Sequence, residues 1–314
     1  MGERTGPRFA GRDFDFNWIS LSATMLLQEL LADAPVVTDG AWGTELQAGG
    51  LPAGECPDAW NLSHPERVEE VARAYVEAGS RVILTNTFGA SPIALARYGL
   101  EDRAAAINRA GVAISRRAAR DRAYVFASMG PTCKMLITGE VSPDEVHASF
   151  AAQARALAEG GADALVIETM TDLTEAEIAV GAAREAGLPV VACMSFGSGK
   201  AGDRTIMGVT PEQAAAGLAA AGAAAIGANC ALGPAGMLLI CARLRAATAL
   251  PLWIKPNAGL PKWVEGGAAP IYTTTPDQFA AEAVALVNAG AAFIGGCCGT
   301  GPTFIRALMQ ALGR

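Results

Sequence analysis

Histidine is nearly absent: the 314-residue chain has two, His64 and His147, and neither follows an expected strand. A histidine-based metal site or general base is therefore disfavoured. Basic runs are missing too. Lys and Arg number 24 against 31 Asp and Glu, for a net charge of −7, which argues against a nucleic-acid partner. No apolar stretch reaches eighteen residues without a charge or a breaker, so no membrane span is expected. The first twenty residues lack the basic start, apolar run and cleavage site of a secretory signal, pointing to a cytoplasmic protein. Aromatics are scarce at 6% while apolar residues reach 51%, so the core must be filled mainly by Ala, Val, Leu and Ile. Seven cysteines are an odd count in a chain too long to need staples. They fit a reducing compartment, free for metal or catalysis.

What is present is a recurring phrase: a helix closing on Ala-Gly or Gly-Gly, a short apolar run, then small or polar residues. It occurs at 77–88, 159–170, 185–196, 220–230 and 288–298. Glycine closes such helices because the position after the last turn commonly takes the left-handed conformation. The nearly continuous apolar run reads as a strand covered on both faces. Runs at 36–39, 124–130 and 251–257 complete eight strands. Helical segments lie between them, several opening on Ser or Thr, Pro and an acid, as at Ser142-Pro143-Asp144, Thr210-Pro211-Glu212 and Thr275-Pro276-Asp277. Eight such units predict a single (β/α)8 TIM barrel over 35–314, preceded by an N-terminal extension over 1–34, although a doubly wound open sheet has the same strand count. That extension, with FDFNW at 14–18, would cover the barrel bottom or form an oligomer contact.

A barrel gathers the C-terminal ends of its strands on one face, where the active site of such a fold lies. Those ends read Asp39-Gly40, Thr85-Asn86-Thr87, Ser128-Met129-Gly130, Glu168-Thr169, Ser195, Asn229-Cys230, Lys255-Pro256-Asn257 and Cys297-Cys298. Cys230 ends the sixth strand, and Cys297 and Cys298 the eighth. Their spacing matches no zinc finger or ribbon, but the barrel face would bring them together. Two readings stand side by side: inert core cysteines, or three thiolates on a tetrahedral zinc with one open position. Gly295, Gly296 and Gly299 favour the second, since the backbone must bend to aim consecutive side chains at one ion. Three thiolates on Zn2+ suit the holding of a fourth thiolate, whose proton coordination removes near neutral pH. Sulfur so activated can attack an unreactive carbon such as a methyl group. Cys193 and Cys241 read as packing residues, and Cys56 and Cys133 lie in or near loops of the same face.

Taken together, DGAWGTELQ (39–47), TNTFGAS (85–91), GPT (130–132), VIET (166–169), GANCALGP (227–234), KPNAGLP (255–261) and GGCCGT (295–300) resemble the homocysteine S-methyltransferase family. Within it they are most similar to the homocysteine-binding module of cobalamin-dependent methionine synthase. The resemblance spans about residues 35–310. It implies a zinc-dependent methyltransferase that converts homocysteine to methionine, with zinc on Cys230, Cys297 and Cys298. It also implies that Asp39 and Glu168 contact the substrate ammonium and that backbone amides around Gly43 and Thr44 receive its carboxylate. The local alternatives are an Asx turn for Asp39 and a helix cap for Glu168, a task Thr171 or Asp172 would do more simply. Asn229 is placed either to order Cys230 or the bound thiolate, or to make a purely structural bond.

One barrel leaves no room in 314 residues for a folate or cobalamin domain. The likeness of GANCALGP and KPNAGLP to the cobalamin-dependent module points to methylcobalamin delivered by a separate corrinoid protein. The alternative keeps the zinc–thiolate chemistry with a small onium donor (S-methylmethionine, S-adenosylmethionine or betaine) or another small thiol acceptor. Readings of a different class are a Schiff-base lyase using Lys255 and a zinc-bearing barrel without a reaction. Cys133 and Lys134, where the family has a glycine after GPT, and the polar excursion at 199–208 are expected to shape the donor side.

Overall fold

A computed structural model describes residues 25–262 and 271–314; the FDFNW segment lies outside the described residues. Eight parallel strands follow one another as β1 (Val36–Val37), β2 (Val82–Ile83), β3 (Tyr124–Met129), β4 (Ala164–Met170), β5 (Val190–Met194), β6 (Ala225–Asn229), β7 (Leu252–Lys255) and β8 (Ala291–Ile294). Each pairs with its sequence neighbour from β2 to β8, and β8 pairs back onto β1. A parallel bridge between Thr38 and Val82 links β1 to β2 and closes the ring. The sheet is thus the TIM barrel that the strand–helix repeat predicts, with β1 and β2 shorter than their apolar runs.

Eight helices form the outer layer, among them Pro65–Ala78, Pro143–Glu159, Pro276–Asn288 and Pro302–Ala311. Their starts follow the sequence. Ser142, Thr210 and Thr275 each accept from the backbone three residues on, with Glu145, Gln213 and Gln278 returning the bond as capping boxes. Short helices Trp42–Ala48, Trp60–Ser63 and Pro92–Ala96 sit in the loops after β1 and β2, so those two loops build most of the rim on their side.

Two apolar layers hold the barrel. Leu165, Ile167, Ile226 and Ile254 face the helices, whereas Val36, Phe126, Val166, Val191, Trp253 and Phe293 fill the interior. Trp253 lies 5.9 Å from Phe126 and 5.1 Å from Phe293 between ring centroids, so three aromatics occupy the axis. Beside them β6 must run close to β7: a Cβ on Gly227 would lie 1.7 Å from the Trp253 carbonyl oxygen. At the other end of the barrel, a helix over 25–32 packs Leu27 and Leu30 onto the interior cluster. No helix among the described residues is long and apolar enough to cross a membrane.

Candidate metal centre and substrate cavity

Cys230 directly follows β6 and takes a left-handed backbone, φ 63°, as does Ala231 at φ 59°. Such a conformation is unfavourable for a residue with a Cβ and persists where surroundings over-determine it. Here the Cys230 amide donates to the Lys255 carbonyl at 3.1 Å, and Leu232 donates to the Cys230 carbonyl at 2.7 Å. The turn after β8 is fixed just as closely. Cys297 donates to the Pro256 carbonyl at 2.8 Å, Ala258 donates to the Cys298 carbonyl at 2.9 Å, and Thr300 caps the Cys297 carbonyl through its hydroxyl at 2.6 Å. Gly299, at φ 81°, supplies the bend that no other residue type makes as cheaply.

These constraints aim three thiols at one point. The Sγ atoms of Cys230, Cys297 and Cys298 all lie within 4.8 Å of one another, and Cys230 and Cys298 are 3.8 Å apart. Sulfurs bound tetrahedrally at ~2.3 Å from one zinc stand about 3.8 Å apart, so the cluster has the size of a thiolate cage for that ion. Hydrogen bonds from Cys297 and Cys298 draw Cys230 well below the usual thiol range. The resulting thiolate pushes Cys297 up and raises Cys298 to about 11. Three thiols this close ionise together only around a cation.

The cluster opens into a cavity of about 270 Å³ lined by the loops after β1, β2, β4, β7 and β8, among other segments. Glu168 reaches it from β4 and is 7% exposed. Ser128 donates to one carboxylate oxygen at 2.5 Å and Asn229 to the other at 3.3 Å. The helix-cap reading of Glu168 fails, because Asp172 accepts from Thr174 at 2.8 Å and starts that helix itself. Asn229 also binds the Thr169 amide and hydroxyl, both at 2.7 Å, and stands 3.9 Å from the Cys297 sulfur. Its one amide group thus fixes Thr169 in its left-handed turn (φ 62°), Glu168 and the cysteine cage together. Gly43 and Thr44 line the same end of the cavity, and the Thr44 hydroxyl accepts from the Gly299 amide at 3.2 Å.

Asp39 lies elsewhere. It is fully buried, with one oxygen 2.5 Å from the Lys255 ammonium and the other accepting from Trp42 Nε1 and the Leu84 amide, both at 2.7 Å. Glu168 lines the cavity and Asp39 does not. The same pair corrects the Schiff-base reading of Lys255. Burial alone would lower the amine's pKa, but the Asp39 and Glu168 carboxylates outweigh it and hold the ammonium above its ordinary value. An imine-forming lysine needs a neutral amine, and this one is locked as a cation.

The expected donor-side segments are also displaced. Lys134 pairs with Glu140, the Cys133 thiol donates to the Pro131 carbonyl at 3.8 Å and accepts from the Arg97 guanidinium at 4.0 Å, and the excursion at 199–208 is tied to helix Pro234–Ala247 through Asp203 and Arg243. None of them lines the cavity. Sequence reasoning did not single out Asp58, Phe88 or Arg97, which do. Phe88 stands within the TNTFGAS segment, while the only signal of Asp58 and Arg97 is position, in the loops that follow β1 and β2. The histidines stay outside: His64 bonds Ser63, and His147 pairs with Glu185 on the surface.

A closed parallel barrel carrying a metal-sized cage of three thiols at the mouth of a cavity, on the C-terminal face of its strands, defines a class of metal-dependent barrel enzymes. Comparison with known proteins narrows it. The homocysteine S-methyltransferase family profile matches residues 36–312, and the chain belongs to that family. The homocysteine methyltransferase MmuM from Escherichia coli, in its metallated form, superposes with a TM-score of 0.75 at 27% identity, covering 90% of this chain and 99% of that one. Methionine synthases of Mycobacterium tuberculosis and Mycobacterium leprae are each 33% identical over 91% and 92% of this chain. The chain spans about a quarter of the length of those curated relatives, 25% in each case. This distribution overturns the expectation of methylcobalamin carried by a separate corrinoid protein. End-to-end likeness is to a homocysteine methyltransferase of this chain's own extent, and likeness to methionine synthase is confined to one part of it.

Proposed function

We propose that the chain is a zinc-dependent S-methyltransferase that moves a methyl group from a small onium donor to homocysteine, giving methionine. The observation that carries the reading is the cage of three sulfurs, of zinc–thiolate dimensions, opening onto a cavity that Glu168 lines beside it. Cys230, Cys297 and Cys298 would hold Zn2+, which when bound keeps an acceptor thiol anionic at neutral pH in its fourth position. Glu168 receives the acceptor's ammonium, and the backbone amides around Gly43 and Thr44 its carboxylate. Asn229 orders both the cage and Glu168 from one side chain. Asp39 binds no substrate directly in this arrangement; it anchors Lys255 beneath the cavity.

An onium leaves as a neutral molecule with the electron pair of the broken bond and needs no proton, so transfer from it asks only for a nucleophilic sulfur. Phe88, 40% exposed, and Trp42 line the cavity, and aromatic rings are surroundings that suit a cation. The chain's seven free cysteines fit a reducing, cytoplasmic setting. Within it the barrel unit is taken as 35–314, with 1–34 preceding it. The test is methionine formation by zinc-loaded protein from homocysteine with S-methylmethionine, S-adenosylmethionine or betaine. A competition arm uses the decarboxylated analogue of homocysteine. Methionine from at least one donor, with the analogue a poor acceptor, is the expected result. No methionine from any of the three would overturn the reading.

A further inference from the structure

The cavity has a second charged end that the acceptor does not use. Asp58 enters it from the turn Pro57–Ala59, and Arg97 from just beyond helix Pro92–Ala96. Asp58 is 3% exposed, and one of its oxygens accepts from the Gly89 amide at 3.0 Å. The other has only the Cys56 thiol at 3.8 Å, a weak donor. Arg97 is exposed; its guanidinium lies 4.8 Å over the Tyr98 ring and 4.0 Å from the Cys133 sulfur, and neither group is a carboxylate. Gly89 keeps the space between them open. A Cβ there would stand 2.9 Å from Asp58 Oδ2 and 3.5 Å from Arg97 Nη2. A carboxylate and a guanidinium therefore border one small opening, each with bonding capacity unspent. Phe88 lines the cavity beside them, its ring against Gly130.

This arrangement complements a zwitterion. Glu168 and the amides around Gly43 and Thr44 already account for the acceptor's amino-acid end, near the cysteines. The Asp58–Arg97 pair comes from the β1 and β2 loops and remains for the second substrate. Betaine carries a carboxylate but no free ammonium, so it would use half of the pair. A sulfonium amino acid uses both.

We infer that Asp58 and Arg97 form a subsite for the amino-acid end of the methyl donor, Asp58 receiving its α-ammonium and Arg97 its α-carboxylate, and so select sulfonium amino acids over other onium compounds. The inference rests on the onium-dependent transfer proposed above. In the reaction the donor's S–CH3 bond breaks, its electron pair stays on the departing sulfur as a neutral thioether, and the methyl carbon bonds to the homocysteine sulfur. With S-methylmethionine both products are methionine.

The test compares S-methyl-L-methionine with trimethylsulfonium, which has the reactive centre but no amino-acid end, in zinc-loaded wild type, Arg97→Gln and Asp58→Asn. Loss of one charge-assisted contact should lower the ratio of kcat/KM for S-methylmethionine to that for trimethylsulfonium by roughly 10- to 100-fold in each variant. Calorimetric titration of S-methylmethionine should show a matching rise in Kd, while the KM for homocysteine stays put. Arg97 is on the surface, so its variant separates recognition from folding. A wild type that uses S-methylmethionine with variants whose ratio and Kd are unchanged would overturn the subsite alone. A shift confined to the homocysteine KM would overturn it too, by assigning the pair to the acceptor. If neither sulfonium supports transfer in the wild type, the subsite falls, while the proposed function is decided separately by S-adenosylmethionine and betaine.

Discussion

Replacing Lys255 by Met removes a buried cation and leaves its shape nearly intact, which makes it an informative perturbation of the site's foundation. Lys255 is 2% exposed and Asp39 fully buried, with 2.5 Å between ammonium and carboxylate. Each would be a stranded charge without the other. Deleting one partner of a buried pair typically costs about 3–5 kcal/mol, whereas replacing both by apolar or neutral groups is often close to neutral. Lys255→Met should therefore lower the unfolding free energy by about 3–5 kcal/mol. Asp39→Asn should cost a similar amount, about 3–5 kcal/mol, since its single amide oxygen can accept from Trp42 and Leu84 or from the lysine but not from both sides, and the lysine loses its counter-charge. The double variant should be more stable than additivity predicts by ~2 kcal/mol, a coupling expected of residues in contact. Urea unfolding of the zinc-loaded proteins, followed by circular dichroism, gives all four free energies. Single variants that each cost under about 1 kcal/mol and simply add would refute the view that this pair is a tightly coupled buried ion pair.

Three further outcomes follow from the geometry. Glu168→Gln should weaken homocysteine binding by about 1.5–3 kcal/mol with zinc retained; calorimetry showing an unchanged Kd would remove Glu168 from the acceptor's site. Asp58 is raised from 3.8 to about 6, chiefly by burial, with the Gly89 amide and Arg97 opposing. Ionising it in the folded protein costs up to ~3 kcal/mol above pH 6, a cost absent below the unfolded value. Asp58→Asn should accordingly gain stability relative to wild type as pH rises from 4 to 6 and hold that gain above it. A stability difference flat with pH would contradict the burial. Gly227→Ala would place a methyl group 1.7 Å from the Trp253 carbonyl, between two strands that cannot part without breaking their ladder. Thermal melts should show a loss of roughly 3 kcal/mol or more, at the upper end of overpacking costs; near-wild-type stability would mean β6 and β7 are not so close.

The barrel was legible because its grammar is local. Ser142, Thr210 and Thr275 announce helices, each is a capping-box N-cap in the structure, and the apolar run after each helix is a strand. The cysteine cage was legible at one remove, since a barrel places the ends of β6 and β8 on one face even though 67 residues separate Cys230 from Cys297. Pairings across the barrel were not. Asp39 and Lys255 each end a strand and each suggested a role by itself, but that they neutralise each other depends on side-chain reach across the barrel. Asp58 and Arg97 were invisible for a related reason. They sit in loops after β1 and β2 without periodicity, and only the folded rim shows which loop residues turn inward. The polar excursion at 199–208 shows the converse: Arg243, which also pairs with Glu212, holds it through Asp203, away from the cavity. The donor assignment failed for a different reason. Motifs common to a homocysteine methyltransferase and to methionine synthases report on what those proteins share, and a methyl donor cannot be read from them.

In the proposed mechanism three cysteine sulfurs hold a zinc ion with one position left for the acceptor's sulfur. X-ray absorption at the zinc edge of the loaded protein tests it, before and after homocysteine is added. The account predicts about three sulfur neighbours at ~2.3 Å and a fourth at a similar distance once homocysteine binds, with zinc lost when Cys230, Cys297 or Cys298 is changed to Ser. Full zinc retention in those variants, or a sulfur count that homocysteine leaves unchanged, would contradict it.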